Sequence, residues 1–139
     1  MMLVSIVDFN QIMPLVNASG INYSSRYDSI RQVRKKILSA QIVQPYELPS
    51  DVVSMNSVVT LRPVDAALAH SIQLVYPTFE NVRENRISIF SALGVTIFLG
   101  KIGEELTYTN WRGTHRVQIL DIPFQPEANS SYVPMRSYE

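Results

Sequence analysis

The side chains best suited to metal binding or acid–base chemistry are few in this sequence. His70 and His115 have no Asp or Glu at metal-ligand spacing and form no recognisable two-histidine motif. Glu104 and Glu105 are adjacent carboxylates, but neighbours on a strand point to opposite faces and cannot easily share an ion or a proton. We therefore predict no metal site, ordinary strand positions for the histidines and a solvated turn for the glutamates.

Motifs for nucleophilic chemistry and phosphate binding are also absent. The chain has no cysteine, and no serine lies in a Gly-x-Ser-x-Gly turn that would expose a nucleophile. Neither a P-loop nor a Gly-x-Gly-x-x-Gly segment is present, so the sequence provides no phosphate cradle for a nucleotide. Hydrolase chemistry and phosphate-cradled nucleotide binding are therefore unsupported. We predict no catalytic residues and no cofactor, and we expect that the protein is not an enzyme.

The composition is that of a folded protein with a hydrophobic core. Of the 139 residues, 46% are hydrophobic and 17% are charged, which suits one domain or slightly more. The charge-free apolar stretch 87–100 is shorter than the roughly 20 residues of a membrane helix. The N-terminus lacks the basic region and the cleavage site of a signal peptide. We expect a cytoplasmic protein that does not contact a membrane.

The charge is unevenly distributed although the net charge is zero. Residues 1–44 hold five basic and two acidic residues, a net charge of +3, and the basic residues all lie between residues 26 and 36. Arg31, Arg34 and Lys35 represent this basic face. It is either a solvated helix face or a surface attracted to an acidic partner or to nucleic acid. A chain without overall positive charge is a poor candidate for autonomous nucleic-acid binding.

Residues 5–43 are predicted to form two helices joined by a turn. Ser5 or Asp8 is suited to cap the first helix, and Pro14 is expected to kink it and keep it short. In the second helix, apolar residues three or four positions apart form one stripe. The stripe consists of Tyr27, Ile30, Val33 and Ile37, with Leu38 and Ile42 close to it. Two helices with one apolar face each predict an antiparallel helical hairpin.

Beyond Pro45 the pattern changes from helical to extended. Pro45 and Pro49 end the helical region, since each disfavours helix at the residue before it. Alternating and β-branched residues then predict strands. The predicted strands lie at 57–64, 71–76, 86–90, 106–110 and 115–122. Sequential strands with tight turns predict a small antiparallel sheet wrapped on one helix, and hence an α+β fold.

One helix and one large aromatic residue are predicted to pack against this sheet. The helix is expected from Ser91 to Leu99, with Gly100 in the C′ position that ends it. Trp111 begins a hairpin turn that ends at Thr114. We expect Trp111 to pack on the sheet, because large aromatic residues are mostly buried.

A series of short motifs runs in order through the second half of the chain. The motifs are Asp51-Val52-Val53-Ser54-Met55-Asn56-Ser57, Leu74-Val75-Tyr76-Pro77, Ile87-Ser88-Ile89, Leu93-Gly94, Gly100-Lys101 and Gly103-Glu104. In their order and spacing, over roughly residues 45–128, they resemble the C-terminal domain of the GreA/GreB family of bacterial transcription elongation factors. Within the family, the short helical segment, the Asp51–Ser57 run and the closing Phe124-Gln125-Pro126-Glu127-Ala128 are most similar to regulators of nucleoside diphosphate kinase, which have a truncated coiled coil.

The resemblance implies a division of the chain and a partner. It implies a truncated coiled coil at 1–44, an FKBP-like domain at 45–128 and an irregular tail at 129–139. The FKBP-like domain would dock on bacterial RNA polymerase near its secondary channel, with the helical hairpin directed toward that channel. Nucleic acid would then be met only indirectly, through the polymerase complex. Nothing in the sequence indicates an oligomeric state.

The resemblance also makes the tip of the helical hairpin a candidate site. In the cleavage-stimulating members, acidic residues at this tip help to hold a second magnesium ion, which can activate water for phosphodiester hydrolysis. The predicted tip residues are Ser19, Gly20, Ile21, Asn22 and Tyr23, and no Asp or Glu occurs from residue 17 to residue 25. Magnesium prefers carboxylate oxygens, so this tip is expected to bind it weakly at most. Reach is limited too, since about 20 residues of helix span about 30 Å.

The predicted partner contact is the docking loop, which we define as Phe90, Ser91, Ala92 and Leu93. Where the family often has Asp-Ser-Pro, this chain has Phe90-Ser91-Ala92 and keeps only the serine. Phe90 offers an apolar anchor if it is exposed, and otherwise it packs in the sheet.

We predict a polymerase-binding regulator that competes with cleavage factors without stimulating cleavage. An FKBP-like fold leaves a peptidyl-prolyl isomerase or peptide-binding module as an alternative, which needs an aromatic pocket for the proline ring. The aromatic candidates for that pocket are Tyr76, Phe79, Phe98, Tyr108 and Trp111. An indirect effect on the level of nucleoside diphosphate kinase is a further alternative that no residue supports.

Overall fold

The N-terminal part of the computed structural model, which describes residues 2–18 and 25–129, is helical with two short strands added. Its elements are β1 (Leu3–Ser5), α1 (Ile6–Ala18), α2 (Ser25–Ser39) and β2 (Gln41–Val43). β1 and β2 pair in parallel, with Val4 opposite Ile42. The prediction of helix through residue 43 is therefore wrong: the chain leaves α2 at Ser39 and extends alongside β1.

The first helix is capped as predicted but is not ended by its proline. Ser5 Oγ accepts a hydrogen bond of 3.1 Å from the backbone N–H of Asp8, so Ser5 satisfies a free donor of the first turn. Pro14 lies inside α1 on an exposed position, and the helix continues to Ala18. The 13 residues of α1 and the 15 of α2 span about 20 and 22 Å, which is less than the expected 30 Å.

The predicted stripe on the second helix is correct at its centre and wrong at its end. Val33 and Ile37 are fully buried, and Ile30 packs against the same core. Leu38 is 53% exposed and Ile42 is 42% exposed. Leu38 lies outside the buried stripe, and Ile42 belongs to β2 rather than to the helix. The antiparallel arrangement of α1 and α2 stays a prediction, because their connection and its tip residues, Ser19 to Tyr23, lie outside the described residues.

The predicted strands form one five-stranded sheet. They are β3 (Val58–Pro63), β4 (His70–Val75), β5 (Arg86–Ser88), β6 (Glu105–Asn110) and β7 (Gly113–Phe124), in the spatial order β5-β4-β3-β7-β6. β3 pairs antiparallel with β4 and β7, and β6 pairs antiparallel with β7. β4 and β5 pair in parallel, so the prediction of a purely antiparallel sheet is wrong at this edge. The α+β class is confirmed, and the FKBP-like topology stays a prediction.

One helix, α3 (Ala92–Ile97), follows β5 and packs against the sheet. It is shorter than predicted, and Gly100 does not end it. The left-handed residue after the helix is Leu99, with φ of 66°. Gly100 is required for a different reason: a Cβ at this position would lie 2.8 Å from Cδ1 of Ile119.

The helices and the sheet contribute to one hydrophobic cluster. Its members include Val4 of β1, Ile12 of α1 and Val33 of α2, together with Leu61 and Ile119 of the sheet. The division at residues 44/45 and 128/129 stays a prediction. Within the described ranges, no helix is long and apolar enough to cross a membrane.

Candidate functional site

The docking loop lies between β5 and α3, and only part of it is accessible. Phe90 is 6% exposed and belongs to the hydrophobic cluster, so an exposed apolar anchor at this position is ruled out. Its aromatic side chain is held in the interior because the chain turns inward after β5. Ser91, Ala92 and Leu93 are half-buried and present the remaining surface of the loop.

Three hydrogen bonds hold the docking loop in one conformation. Ser91 Oγ donates to the carbonyl oxygen of Ser88 at 2.7 Å and accepts from the N–H of Gly94 at 3.0 Å, which caps α3. Ser88 Oγ in turn accepts from the N–H of Phe90 at 3.0 Å. A Cβ on Gly94 would lie 2.0 Å from the carbonyl oxygen of Ser88, so only glycine fits. The loop is therefore a preorganised surface.

Lys36 connects the helical part of the chain to the docking loop. Its Nζ donates to the carbonyl oxygens of Val95 at 2.8 Å and Thr96 at 3.1 Å, both in α3. Burial lowers the pKa of Lys36 to about 8, against the opposing attraction of Glu104. Lys36 is therefore not part of the solvated basic face, and its side chain links α2 to α3.

The basic face itself lies on the solvent side of α2. Arg31, Arg34 and Lys35 are all exposed, as a solvated helix face requires. Arg31 lies 3.9 Å from Asp28 in an exposed ion pair. The exposure of these three side chains is compatible with both interpretations: a solvated surface, and a surface that attracts an acidic partner.

A buried carboxylate fixes α1 to the segment that precedes β3. Asp8 is 5% exposed, and its Oδ2 accepts a hydrogen bond of 3.0 Å from the N–H of Met55. Burial, together with the charge of Glu127, raises the pKa of Asp8 to about 8. The carboxyl group of Asp8 is therefore protonated at neutral pH, although it accepts the backbone hydrogen bond.

A second buried carboxyl group, that of Glu127, contacts the same segment before β3 from near the C-terminal end of the described residues. Ser54 Oγ donates a hydrogen bond to Oε1 of Glu127 at 2.6 Å, and the same hydroxyl group is hydrogen-bonded to Ser57 Oγ. Burial raises the pKa of Glu127 as well. Gln125 Nε2 donates to the carbonyl oxygens of Pro49 and Val52, both at 2.7 Å. The Asp51–Ser57 run and the closing Phe124–Ala128 segment therefore serve to join distant parts of the fold.

Sequence reasoning did not identify these polar contacts. The charge pattern predicts Lys36 to lie on a solvated or partner-attracting basic segment, and the helix pattern predicts Asp8 only as a helix cap. The resemblance assigns no role to Glu127 or Ser54. The available signal was the position of Asp8 in the first turn of an otherwise apolar helix, which does not reveal a partner 47 residues away.

A cleft of about 970 Å³ lies between the outer face of α1 and the segment after β4. Tyr76 and Phe79 line it, but the other aromatic residues expected around a proline ring are elsewhere. Phe98 is fully buried in the core, and Tyr108 stacks on His115. The five aromatic residues are therefore not brought together; Tyr76 and Phe79 share the cleft with Phe124 instead, and the isomerase or peptide-binding alternative stays a prediction.

Trp111 and the remaining polar candidates are at the surface. Trp111 is 86% exposed, so the prediction that it packs on the sheet is wrong: the turn carries it beyond the sheet edge. His70 and His115 are strand residues, as predicted. Glu104 accepts from the N–H of Lys101 in an exposed turn. Among the described residues, no group of three or more His, Asp or Glu side chains is placed to hold a metal ion.

Comparison with known proteins identifies the family. Residues 48–124 match the family described as "Transcription elongation factor, GreA/GreB, C-term". The chain is 30% identical over 96 residues to the regulator of nucleoside diphosphate kinase of Escherichia coli K12, covering 68% of this chain and 70% of that protein. It is 24% identical over 96 residues to transcription elongation factor GreA of Thermodesulfovibrio yellowstonii, covering 69% of this chain and 61% of that protein.

A solved structure agrees with this assignment at the level of the fold. The prokaryotic transcription elongation factor GreA/GreB from Nitrosomonas europaea superposes with a TM-score of 0.76 at 24% identity. The match covers 89% of this chain and 100% of that chain. The family match over residues 48–124 and the 30% identity to a regulator of nucleoside diphosphate kinase show that the chain belongs to the GreA/GreB family of transcription elongation factors.

Proposed function

We propose that this protein is a transcription regulator of the Gre-factor type that binds RNA polymerase near its secondary channel. It acts by occupying the polymerase, without catalysis of its own, and it competes there with cleavage-stimulating factors. The observation that carries this proposal is membership of the GreA/GreB family over residues 48–124. The match to a relative named transcription elongation factor GreA supports a role in transcription elongation. The docking loop, which hydrogen bonds hold in one conformation, supports binding of the polymerase through this loop.

The docking contact is assigned to Ser91, Ala92 and Leu93. These side chains are half-buried on a loop that is fixed by the Ser88, Ser91 and Gly94 hydrogen bonds, so binding would cost little conformational entropy. Phe90 supports the loop from inside the core. Leu93 provides the largest apolar side chain of the three and is the natural anchor.

The absence of cleavage stimulation follows from the placement of the carboxylates. No Asp or Glu occurs from residue 9 to residue 27, which includes the predicted tip. Asp28, the acid nearest the predicted tip in sequence, lies in the first turn of α2 and forms an exposed ion pair with Arg31 at 3.9 Å. Asp8 is buried at the base of α1, where it accepts a hydrogen bond from the N–H of Met55, ten residues or about 15 Å along the helix from Ala18. The predicted tip itself would therefore supply no carboxylate to a magnesium ion at the polymerase active site.

The docking contact is tested with one substitution and one matched control. Leu93→Asp places a charge in the proposed contact, and Leu68→Asp makes the same change at an 81% exposed site on the β3–β4 connection. We expect Leu93→Asp to weaken binding to core RNA polymerase about tenfold or more, as for a central interface residue. Leu68→Asp should leave binding unchanged. Equal affinities for wild type and Leu93→Asp would refute the assigned contact.

A further inference from the structure

The β6–β7 hairpin extends well beyond the rest of the sheet. β3 pairs with β7 only as far as Pro63 opposite Val117, whereas β6 follows β7 to Asn110 opposite Gly113. The N–H of Val64, directly after β3, still donates to the carbonyl oxygen of Arg116 at 3.0 Å, so residues 113–115 of β7 project past this contact by about 10 Å. The connection at the end of this projection is the Trp111 turn, which we define as Trp111 and Arg112.

The Trp111 turn exposes an aromatic ring with a cation stacked over one of its faces. The indole of Trp111 is 86% exposed, and the guanidinium carbon of Arg112 lies 4.8 Å from its ring centroid. The N–H of Arg112 donates to Oδ1 of Asn110 at 2.9 Å, which fixes the turn. Such an exposed tryptophan is unusual, because burying an aromatic side chain is a large favourable term in folding and in binding.

Within the hairpin sequence, the charged residues near the turn are basic. No Asp or Glu occurs from Leu106 to Leu120, a segment that contains Arg112, His115 and Arg116. Arg116 is paired with Glu105 at 2.9 Å, at the base of the hairpin. The Trp111 turn itself thus offers an aromatic ring, a guanidinium group and no carboxylate to repel an anion.

We propose that the Trp111 turn binds single-stranded nucleic acid, with an unpaired base stacked on the indole of Trp111 and the adjacent phosphate paired with Arg112. Sequence-tolerant recognition of single strands combines aromatic side chains on which bases stack with basic side chains along the backbone. The Trp111 turn has one of each, so this local surface departs from the expectation drawn from the net charge. A protein partner is less well matched, because interface hot spots lie within a patch that seals out water. The neighbours of Trp111 along the hairpin are the polar residues Thr109, Asn110 and Thr114.

This surface is separate from the proposed docking loop. β4 and β5 run in parallel toward Val75 and Ser88, and the docking loop follows that end of the sheet. The Trp111 turn lies past Val117, at the opposite end. Binding of nucleic acid at the Trp111 turn therefore neither requires nor competes with polymerase docking, and each can be tested without the other.

The sequence provides a direct reporter for this interaction, since Trp111 is the sole tryptophan. We would titrate the full chain with oligothymidine, oligouridine and a duplex of the same length, and record tryptophan fluorescence. Both single strands should quench Trp111, and the duplex should not, because its bases are already stacked. The DNA and RNA titrations then distinguish the two sources of unpaired bases.

Substitutions of Trp111 and Arg112 test whether these two side chains bind the oligonucleotide. With labelled oligothymidine and fluorescence anisotropy, Trp111→Ala should weaken binding about 5- to 150-fold, the range for loss of one stacked base. Tyr46→Ala, which removes a 76% exposed aromatic ring elsewhere, should have no effect. Arg112→Ala should reduce the slope of log affinity against log salt by about 0.7, the value for one phosphate contact on a single strand.

Four results would overturn the proposal. They are absence of quenching by either single strand, equal binding of the duplex, unchanged affinity of Trp111→Ala, and quenching of Trp111 by core RNA polymerase but not by oligonucleotides. The last result would identify the turn as a protein contact.

Discussion

Lys36 Nζ lies 2.8 Å from the carbonyl oxygen of Val95, so a lysine of the second helix holds the helix that carries the docking loop. The same ammonium group also bonds the carbonyl oxygen of Thr96. Both acceptors are in α3, near its C-terminal end, where a cation interacts favourably with unpaired carbonyl groups. The position of the helical arm is therefore coupled to the docking loop through one side chain.

Removing this tether should destabilise the protein. We expect Lys36→Ala to lower the free energy of unfolding by roughly 1.5–3 kcal/mol, the range for hydrogen bonds to a charged group. Lys35→Ala, at the exposed neighbouring position, should change it by less than about 0.5 kcal/mol. Urea unfolding of the two variants measures the difference. Equal stabilities would mean that the Lys36 contacts contribute nothing net.

The buried Asp8 should make stability fall as pH rises. The pKa of Asp8 is raised from 3.8 to about 8, so the folded protein keeps a proton that the unfolded chain releases. The free energy of unfolding should therefore decrease between pH 4 and pH 8, by at most about 1.4 kcal/mol per pH unit from this group. Glu127, whose pKa is also raised, acts in the same direction.

Asp8→Asn isolates this effect, because asparagine keeps the acceptor for the N–H of Met55 and cannot ionise. The stability advantage of Asp8→Asn over wild type should grow from pH 5 to pH 8 in urea unfolding. Asp28→Asn, which changes an exposed acid of α2, should follow the wild-type curve. Parallel curves for Asp8→Asn and wild type would contradict the role of Asp8.

Gly94 should tolerate no side chain. The Cβ of Gly94→Ala would approach the carbonyl oxygen of Ser88 to 2.0 Å, so the docking loop must move to accommodate it. We expect a loss of roughly 1–3 kcal/mol of stability, as in other overpacked sites, with a loss of polymerase binding. Ala92→Gly in the same helix should cost only about 0.5–1 kcal/mol. Thermal unfolding compares the two, and a harmless Gly94→Ala would disprove the tight packing.

Charge reversal on the basic face tests electrostatic steering. If Arg34 and Lys35 attract an acidic surface of the polymerase, the double change Arg34→Glu and Lys35→Glu should slow association roughly tenfold at low salt and reduce its salt dependence. Arg83→Glu changes an exposed basic residue elsewhere and serves as the control. Stopped-flow binding gives the rates. Unchanged association kinetics would assign the basic face to solvation alone.

The parts of the fold that were predicted correctly depend on local patterns. Alternation and β-branching identified the strands of the main sheet, and helical spacing placed Val33 and Ile37 in the core. β2 was missed because its three residues continue the apolar spacing of α2, and only pairing with β1 makes them a strand. The parallel pairing of β4 with β5 likewise depends on tertiary contacts, which local sequence patterns do not reveal.

The functional surface was harder to predict than the fold. Trp111 is exposed where packing on the sheet was expected, and Phe90, for which exposure and packing were both open, is buried, because burial depends on where the chain turns and not on residue type. Asp8 and Lys36 find their partners 47 and 59 residues away, beyond any local signal. The resemblance to the GreA/GreB family, which rests on motif spacing, was confirmed over residues 48–124.

The most direct test of the central claim is a competition experiment on stalled elongation complexes. The full chain is added with a cleavage-competent Gre factor, and displacement of that factor and cleavage of the transcript are measured together. The account predicts displacement with cleavage that falls as the chain replaces the factor. Stimulated cleavage by the chain alone, or failure to displace the factor at saturating concentration, would contradict it.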